Sequence, residues 1–403
     1  MKNKPRLGII IALLASLHLL LFYGLPASVL AVVLAVLAFI YFRSGAVAAT
    51  AITLSLALAT GLGAVAIHLL GLDRAMYYRP HEQLAVQDYA KGHRAYRPNA
   101  EIHMQVAHGD LQALTGITLA QKRDIVFRTD SEGFRNDTDY QAGEPVLLGD
   151  SFVVGMADSQ QDNLTALLAQ QQGIRSYNLG QPGDVSDYLI YYRAFRQRHP
   201  EAKHTALFLF EGNDFPEGQY EDAAQRTLGP AARWLGRYYS LFTDTAFYRV
   251  TKSLWKRASY ARDIAESDSV QIKTVAGQTM GLYTPYVDVT RRSHYAMPPA
   301  MRQDLIELGR QMAAIYFIPT NYRVYARPLG VTALPNAQWQ ALSALCTEQG
   351  WRCVDLTPAL TEAATRGLER GEFIWWRDDT HWNRAGMAVA ARIVAQTLAK
   401  NPR

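Results

Sequence analysis

Four runs of the chain carry residue types suited to acyl transfer: Gly149-Asp150-Ser151, Gln181-Pro182-Gly183-Asp184, Gly212-Asn213-Asp214 and Asp378-Asp379-Thr380-His381. A serine hydroxyl is a weak nucleophile at its free pKa. It needs a base, here His381, and an acid that fixes the imidazole tautomer. Asp378 and Asp379 are both near enough in sequence to serve as that acid. The oxyanion formed when an ester carbonyl is attacked needs donors already aimed at it. Gly183 lets its N–H approach with no side chain in the way. Asn213 can donate from its amide, and the Ser151 N–H near a helix start is a third donor. Each run alone is an ordinary turn signal. Together they say more, because each follows an expected strand or opens an expected helix.

The elements that must position these residues alternate from Pro145 onward. Strands are expected at Pro145–Leu148, Ile174–Gly180, Thr205–Phe210, Ile315–Pro319 and Arg352–Leu356. Helices are expected at Asp162–Gln172, Val185–His199, Leu305–Ala314, Ala337–Gln349, Thr357–Arg370 and Arg384–Ala399. Such alternation predicts a parallel sheet covered on both faces, with ligands beyond the carboxyl ends of its strands. Residues 216–300 interrupt the pattern and read as a helical cap insertion. Within it, Arg233–Arg262 is rich in aromatic and basic residues. That stretch either packs over the domain or lies on a lipid surface. Residues 76–144 read as a linker with short strands, where Asp124–Asn136 looks like a strand, a turn and an arginine-bearing return.

The set resembles the SGNH (GDSL-type) hydrolase superfamily of esterases and acyltransferases. The resemblance covers roughly residues 146–398 without the cap and implies a flavodoxin-like α/β fold. It makes Ser151 the nucleophile, and Ser151, Gly183 and Asn213 the oxyanion hole. His381 becomes the base. The common family spacing makes Asp378 the acid. The run Asp379-Thr380-His381-Trp382-Asn383 and the stretch Ile318–Tyr325 look more like the branch of the alginate O-acetylation proteins, which makes the acid Asp379. The resemblance therefore favours Asp379 with Asp378 as the rival. It implies hydrolysis of an acyl ester, or its transfer to a hydroxyl of an envelope or extracellular polysaccharide. A multi-spanning acyl-donor membrane protein is the expected partner of a transferase. The alternatives are an esterase of lipids or small esters, and a non-catalytic scaffold subunit of an envelope assembly. The intact four-part set speaks against the last.

Composition sets the surroundings. Of 403 residues, 49% are apolar and 19% charged, below the usual quarter, so a membrane part is expected. Leu7–Leu25, Pro26–Phe42 and Gly45–Leu72 are almost free of charge, and each can cross a bilayer. A signal peptide is the rival for the first. Three crossings make residues 1–75 a membrane anchor. Lys2, Lys4, Arg6 and Arg43 then lie on one side, which puts the N-terminus in the cytoplasm and residues 145–403 outside. Cys346 and Cys353 read equally as a disulfide across a helix–strand turn or as two buried thiols. A net charge of +5 without a concentrated basic stripe gives no footing for nucleic acid. No metal or cofactor motif is present.

Overall fold

The computed structural model describes residues 79–88, 93–115, 119–227, 229–230 and 269–399, with single residues and short runs between 45 and 70. The three expected membrane segments and Arg233–Arg262 lie outside the described residues, apart from those positions. The chain divides into two compact units, Met1–Asp73 with Thr245–Val250, and Arg74–Asp244 with Thr251–Arg403. In the first, the described positions from 51 to 69 are helical, and Leu58, Leu62, Val65 and Leu69 are exposed. Among the described residues no helix is long and apolar enough to cross a membrane.

The second unit opens with α1 (Pro80–Leu84) and an antiparallel pair, β1 (Ala85–Asp88) with β2 (His93–Tyr96). A second pair follows, β3 (Glu101–Val106) with β4 (Arg123–Arg128), and α2 (Asp110–Thr115) lies between its strands. The partner of β4 is thus β3 and not the return after Asp130. That return instead buries Arg135 completely. Its guanidinium donates to the carbonyls of Val126, Val154, Gly155 and Asp158. A charge this deep needs such partners, and they fasten the N-terminal segment onto the sheet domain.

The sheet strands are β5 (Val146–Leu148), β6 (Tyr177–Asn178) and β7 (Thr205–Phe210). The helices between and after them are α3 (Ser151–Val154), α4 (Leu164–Gln172), α5 (Val185–Arg198) and α6 (Ala223–Arg226). The hairpin β8 (Val270–Val275) and β9 (Gln278–Tyr283) then leads through α7 (Thr284–Thr290) and α8 (Pro299–Gly309) to β10 (Met312–Ile318). Helices α9 (Asn321–Val324) and α10 (Ala337–Gln349) precede β11 (Cys353–Asp355), and α11 (Thr357–Leu368) and α12 (Arg384–Ala399) close the fold.

All sheet pairings are parallel, in the order β11-β10-β7-β5-β6. This is the flavodoxin-like order, with its switch point between the first and third strands, β5 and β7. Both faces are covered, so β7 is buried at every residue. Ala206, Phe208 and Phe210 face a core shared with α4, α11 and α12. Leu207 and Leu209 face the opposite core, under α5, α8 and α10.

Two expected elements moved. The Leu305–Ala314 helix begins earlier, at Pro299, and ends at Gly309. Pro299 at the first helical position is pre-set for a helix start. Met312 and Ala314 are instead strand residues, paired with Thr205 and Ala206, because sheet pairing outweighs their helix propensity. The strand expected at Ile174–Gly180 shrinks to Tyr177–Asn178, an edge strand with one neighbour. The described part of the insertion is not helical throughout, since it contains the β8–β9 hairpin.

Cys346 and Cys353 form a disulfide that ties α10 to β11 across a Cα–Cα distance of 6.2 Å. A loop this short constrains the unfolded chain modestly. Replacing both cysteines by serine is expected to lower stability by about 2 kcal/mol, read from urea denaturation.

Candidate active site

The switch point brings the first and third strand ends side by side. Ser151 follows β5, and Asn213 follows β7. The turn after β5 is tight. A Cβ on Gly149 would stand 2.7 Å from Val153 Cγ2 and 3.0 Å from the Phe208 carbonyl, so only glycine fits. Asp150 is the N-cap of α3, accepting the Phe152 N–H at 2.9 Å. It is therefore more than a turn residue. Burial pushes its carboxyl up to about 6, while the Phe152 N–H, the His381 charge, Asn213 and Ser151 pull the other way. Gly183 immediately precedes Asp184, the N-cap of α5, and its carbonyl accepts the Tyr188 hydroxyl at 3.0 Å.

The loop ahead of α12 delivers the histidine. Trp375 and Trp382 form a bridge, and the Trp375 indole donates to the Thr380 carbonyl at 3.1 Å. The Phe152 ring packs against the His381 ring, with centroids 4.9 Å apart, and against Trp382 at 5.1 Å. So held, His381 Nε2 lies 2.7 Å from Ser151 Oγ, and Nδ1 lies 2.6 Å from Asp379 Oδ1. These distances are short enough for strong hydrogen bonds, the second charge-assisted once the imidazole is protonated.

The two aspartates separate clearly. Asp379 faces the imidazole. Asp378 is fully buried and turned away, where it pairs with Arg123. Its Oδ2 accepts the N–H groups of Gly109 at 2.8 Å and Gln121 at 2.6 Å. Arg123 also lies over the Trp376 ring at 4.0 Å. Burial alone would raise the Asp379 carboxyl. The His381 hydrogen bond and charge, with Arg123 and Arg79, hold it well below the usual carboxylate range. Burial likewise works against His381 imidazolium. The Asp379 hydrogen bond and charge, then Asp110 and Asp150, outweigh it and hold the pKa above 6.5.

The 76–144 stretch also reaches the site. Asp110 accepts the Thr380 N–H at 2.8 Å, and its own N–H donates to Asp379 Oδ2 at 2.9 Å. A Cβ on Gly109 would overlap the Asp378 carbonyl, so the two segments meet backbone to backbone. His81 on α1 is buried, and burial, then the charges of Arg79 and His381, keep it neutral. Sequence reasoning missed Gly109, Asp110, Arg123 and His81. A Gly-Asp dipeptide in a polar stretch is the one trace they leave, and it reads as a turn. Asp110, Asp379 and His381 bring ligand atoms within 4.8 Å of one another. Those atoms already serve the hydrogen bonds above, and the charges of Arg79 and Arg123 act on the same carboxylates. That arrangement suits an acid–base pair better than a cation.

The chain is similar to two solved structures. One is a protein described as lipolytic, of the G-D-S-L family, from Desulfitobacterium hafniense. It is 12% identical, with 63% of this chain and 98% of that one covered and a TM-score of 0.30. The other is a protein from Lactobacillus plantarum, 16% identical, with 65% and 99% covered and a TM-score of 0.31. No curated protein matches the sequence. Residues 291–403 match the family model described as the SGNH hydrolase-like domain of acetyltransferase AlgX. That span holds Asp378, Asp379 and His381, while Ser151, Gly183 and Asn213 lie ahead of it. Residues 291–403 are thus similar to the SGNH hydrolase-like domain of the AlgX kind.

Proposed function

We propose that this protein is a membrane-anchored serine esterase or O-acyltransferase that works through an acyl-enzyme on acetyl esters of an envelope or extracellular polysaccharide. The observation that carries the reading is the unbroken hydrogen-bonded chain from Ser151 Oγ through His381 to Asp379, at 2.7 and 2.6 Å. In this mechanism Ser151 Oγ attacks the ester carbonyl as His381 Nε2 takes its proton. Asp379 holds Nδ1–H and stabilises the imidazolium. The oxyanion is received by the N–H groups of Ser151 and Gly183 and the Asn213 amide. Collapse expels the alcohol, which takes its proton from His381, and leaves the acyl group on Ser151. Water or a sugar hydroxyl, deprotonated by His381, then attacks the acyl-enzyme and frees Ser151.

The AlgX-type match supports the acyl-ester or polysaccharide substrate. The anchor and outward orientation rest on the three apolar segments and their flanking basic residues, and the Cys346–Cys353 disulfide fits an oxidising compartment. For transfer, the donor is an acyl group presented by a multi-spanning membrane protein.

A membrane-impermeant fluorophosphonate applied to sealed right-side-out membrane vesicles tests the reading. The wild-type protein is expected to label and Ser151→Ala to stay unlabelled. Absence of label even in permeabilised vesicles would overturn the nucleophile. Label that appears only after permeabilisation would overturn the outward orientation.

A further inference from the structure

We propose that Asp110 is a positioning residue for His381, and that its carboxylate clamps Thr380 and stands as a second acid beside Nδ1. This deepens the Ser151–His381–Asp379 reading and rests on it. Asp110 lies on α2, more than two hundred positions from the histidine in sequence, in a stretch that looks like a linker.

The geometry is a two-way clamp. One carboxylate oxygen of Asp110 accepts the Thr380 N–H at 2.8 Å, and the other accepts the Thr380 hydroxyl. The Asp110 N–H returns a bond to Asp379 Oδ2 at 2.9 Å. Asp379 Oδ1 meanwhile takes both the His381 N–H and Nδ1. Asp110 therefore holds the residue before the histidine and the acid behind it at once. Its Oδ2 also lies 3.5 Å from His381 Nδ1, too long for the principal bond but close enough for its charge to act. The close approach of Gly109 to the Asp378 carbonyl fixes where the clamp sits.

The charges around the imidazole come from several elements. Asp379, Asp110 and Asp150 favour the imidazolium, whose charge in turn helps keep the buried His81 on α1 neutral. Arg79 and Arg123 act on the carboxylates. Burial pushes Asp110 itself up to about 6, the Asp379 charge adding to this and His381, Arg79 and Thr380 opposing it. Removing the Asp110 charge thus lowers the pKa of His381. Because the base must be neutral, the acid limb of kcat/KM then moves to lower pH.

The test is p-nitrophenyl acetate hydrolysis from acid to neutral pH by the full chain, in wild type, Ser151→Ala, Asp110→Asn and Thr380→Val. Asp110→Asn keeps size and one acceptor but loses the charge. Its acid limb is expected to move down by about one pH unit, with plateau kcat lowered about tenfold. Thr380→Val keeps the charge and loses the hydroxyl contact, so kcat is expected to fall about tenfold with the limb in place. A merely structural Asp110 would leave the limb unmoved in Asp110→Asn, and that result overturns the proposal. Should Asp110→Asn not fold, Thr380→Val with wild-type kcat overturns the clamp. Wild-type hydrolysis that survives in Ser151→Ala instead overturns the serine mechanism, and the role of Asp110 falls with it.

Discussion

Ser151→Ala is expected to lower kcat for ester hydrolysis by a factor on the order of 10⁶, the size seen when a triad nucleophile is removed. Truncation here deletes one oxygen from a site whose other parts stay in place. Phe152, Trp375 and Trp382 are buried and hold the loops without help from the hydroxyl. The Ser151 N–H, Gly183 and Asn213 remain, so a residual rate above that in water is expected from oxyanion binding. Burst kinetics with p-nitrophenyl acetate read the result. Wild type should release a stoichiometric burst of p-nitrophenol, and the variant none. A variant that keeps the burst would remove Ser151 from the chemistry.

The two aspartates are expected to fail in different ways. Asp379→Asn preserves volume but places an amide N–H₂ opposite Nδ1, now 2.6 Å from Oδ1. Nδ1 must then accept, the proton moves to Nε2, and the base can no longer take the Ser151 proton. The expected loss in kcat is about 10⁴-fold, with the fold intact. Asp378→Asn is expected to act on stability. It removes the nearest partner of Arg123, which is 5% exposed at its side chain, and leaves only the longer contact to Asp379 Oδ2 at 3.8 Å. Breaking a buried pair from one side costs about 3–5 kcal/mol. The molecules still folded should keep kcat within about tenfold, because Asp378 does not touch His381. Urea denaturation combined with active-site titration separates the two. The reverse pattern, with Asp378→Asn inactive but stable, would make Asp378 the triad acid.

The elements legible in the sequence were those with strong local signals. Thr205–Phe210 is a continuous apolar run that needs both faces covered, and it forms β7 with those bounds. Helix α10 ends at a Gly350 in the left-handed region, where glycine is at ease. Ser151, the two glycine-bearing turns and the histidine loop are legible as candidates because they occupy the ends of such elements. Where local signals were weak, pairing decided instead. Met312–Ala314 has residues that suit a helix, and β7 made it a strand. The β3–β4 pair depends on a partner beyond an intervening helix, which periodicity does not report.

By itself, the sequence determined the parallel α/β alternation and put Ser151, Gly183, Asn213 and His381 forward as candidates for one site. It narrowed the acid to two adjacent aspartates. Only the tertiary structure shows that Asp379 is the one facing the imidazole, because neighbouring residues leave a loop in different directions, and no spacing rule tells which one turns toward the ring. Only the fold brought Gly109, Asp110 and Arg123 to the far side of that loop, with Arg123 neutralising one aspartate and Asp110 backing the other. The physical reason is the same throughout. Elements follow from short-range propensity and burial pattern, whereas the protonation and aim of a buried imidazole are set by charges that meet only when distant segments pack.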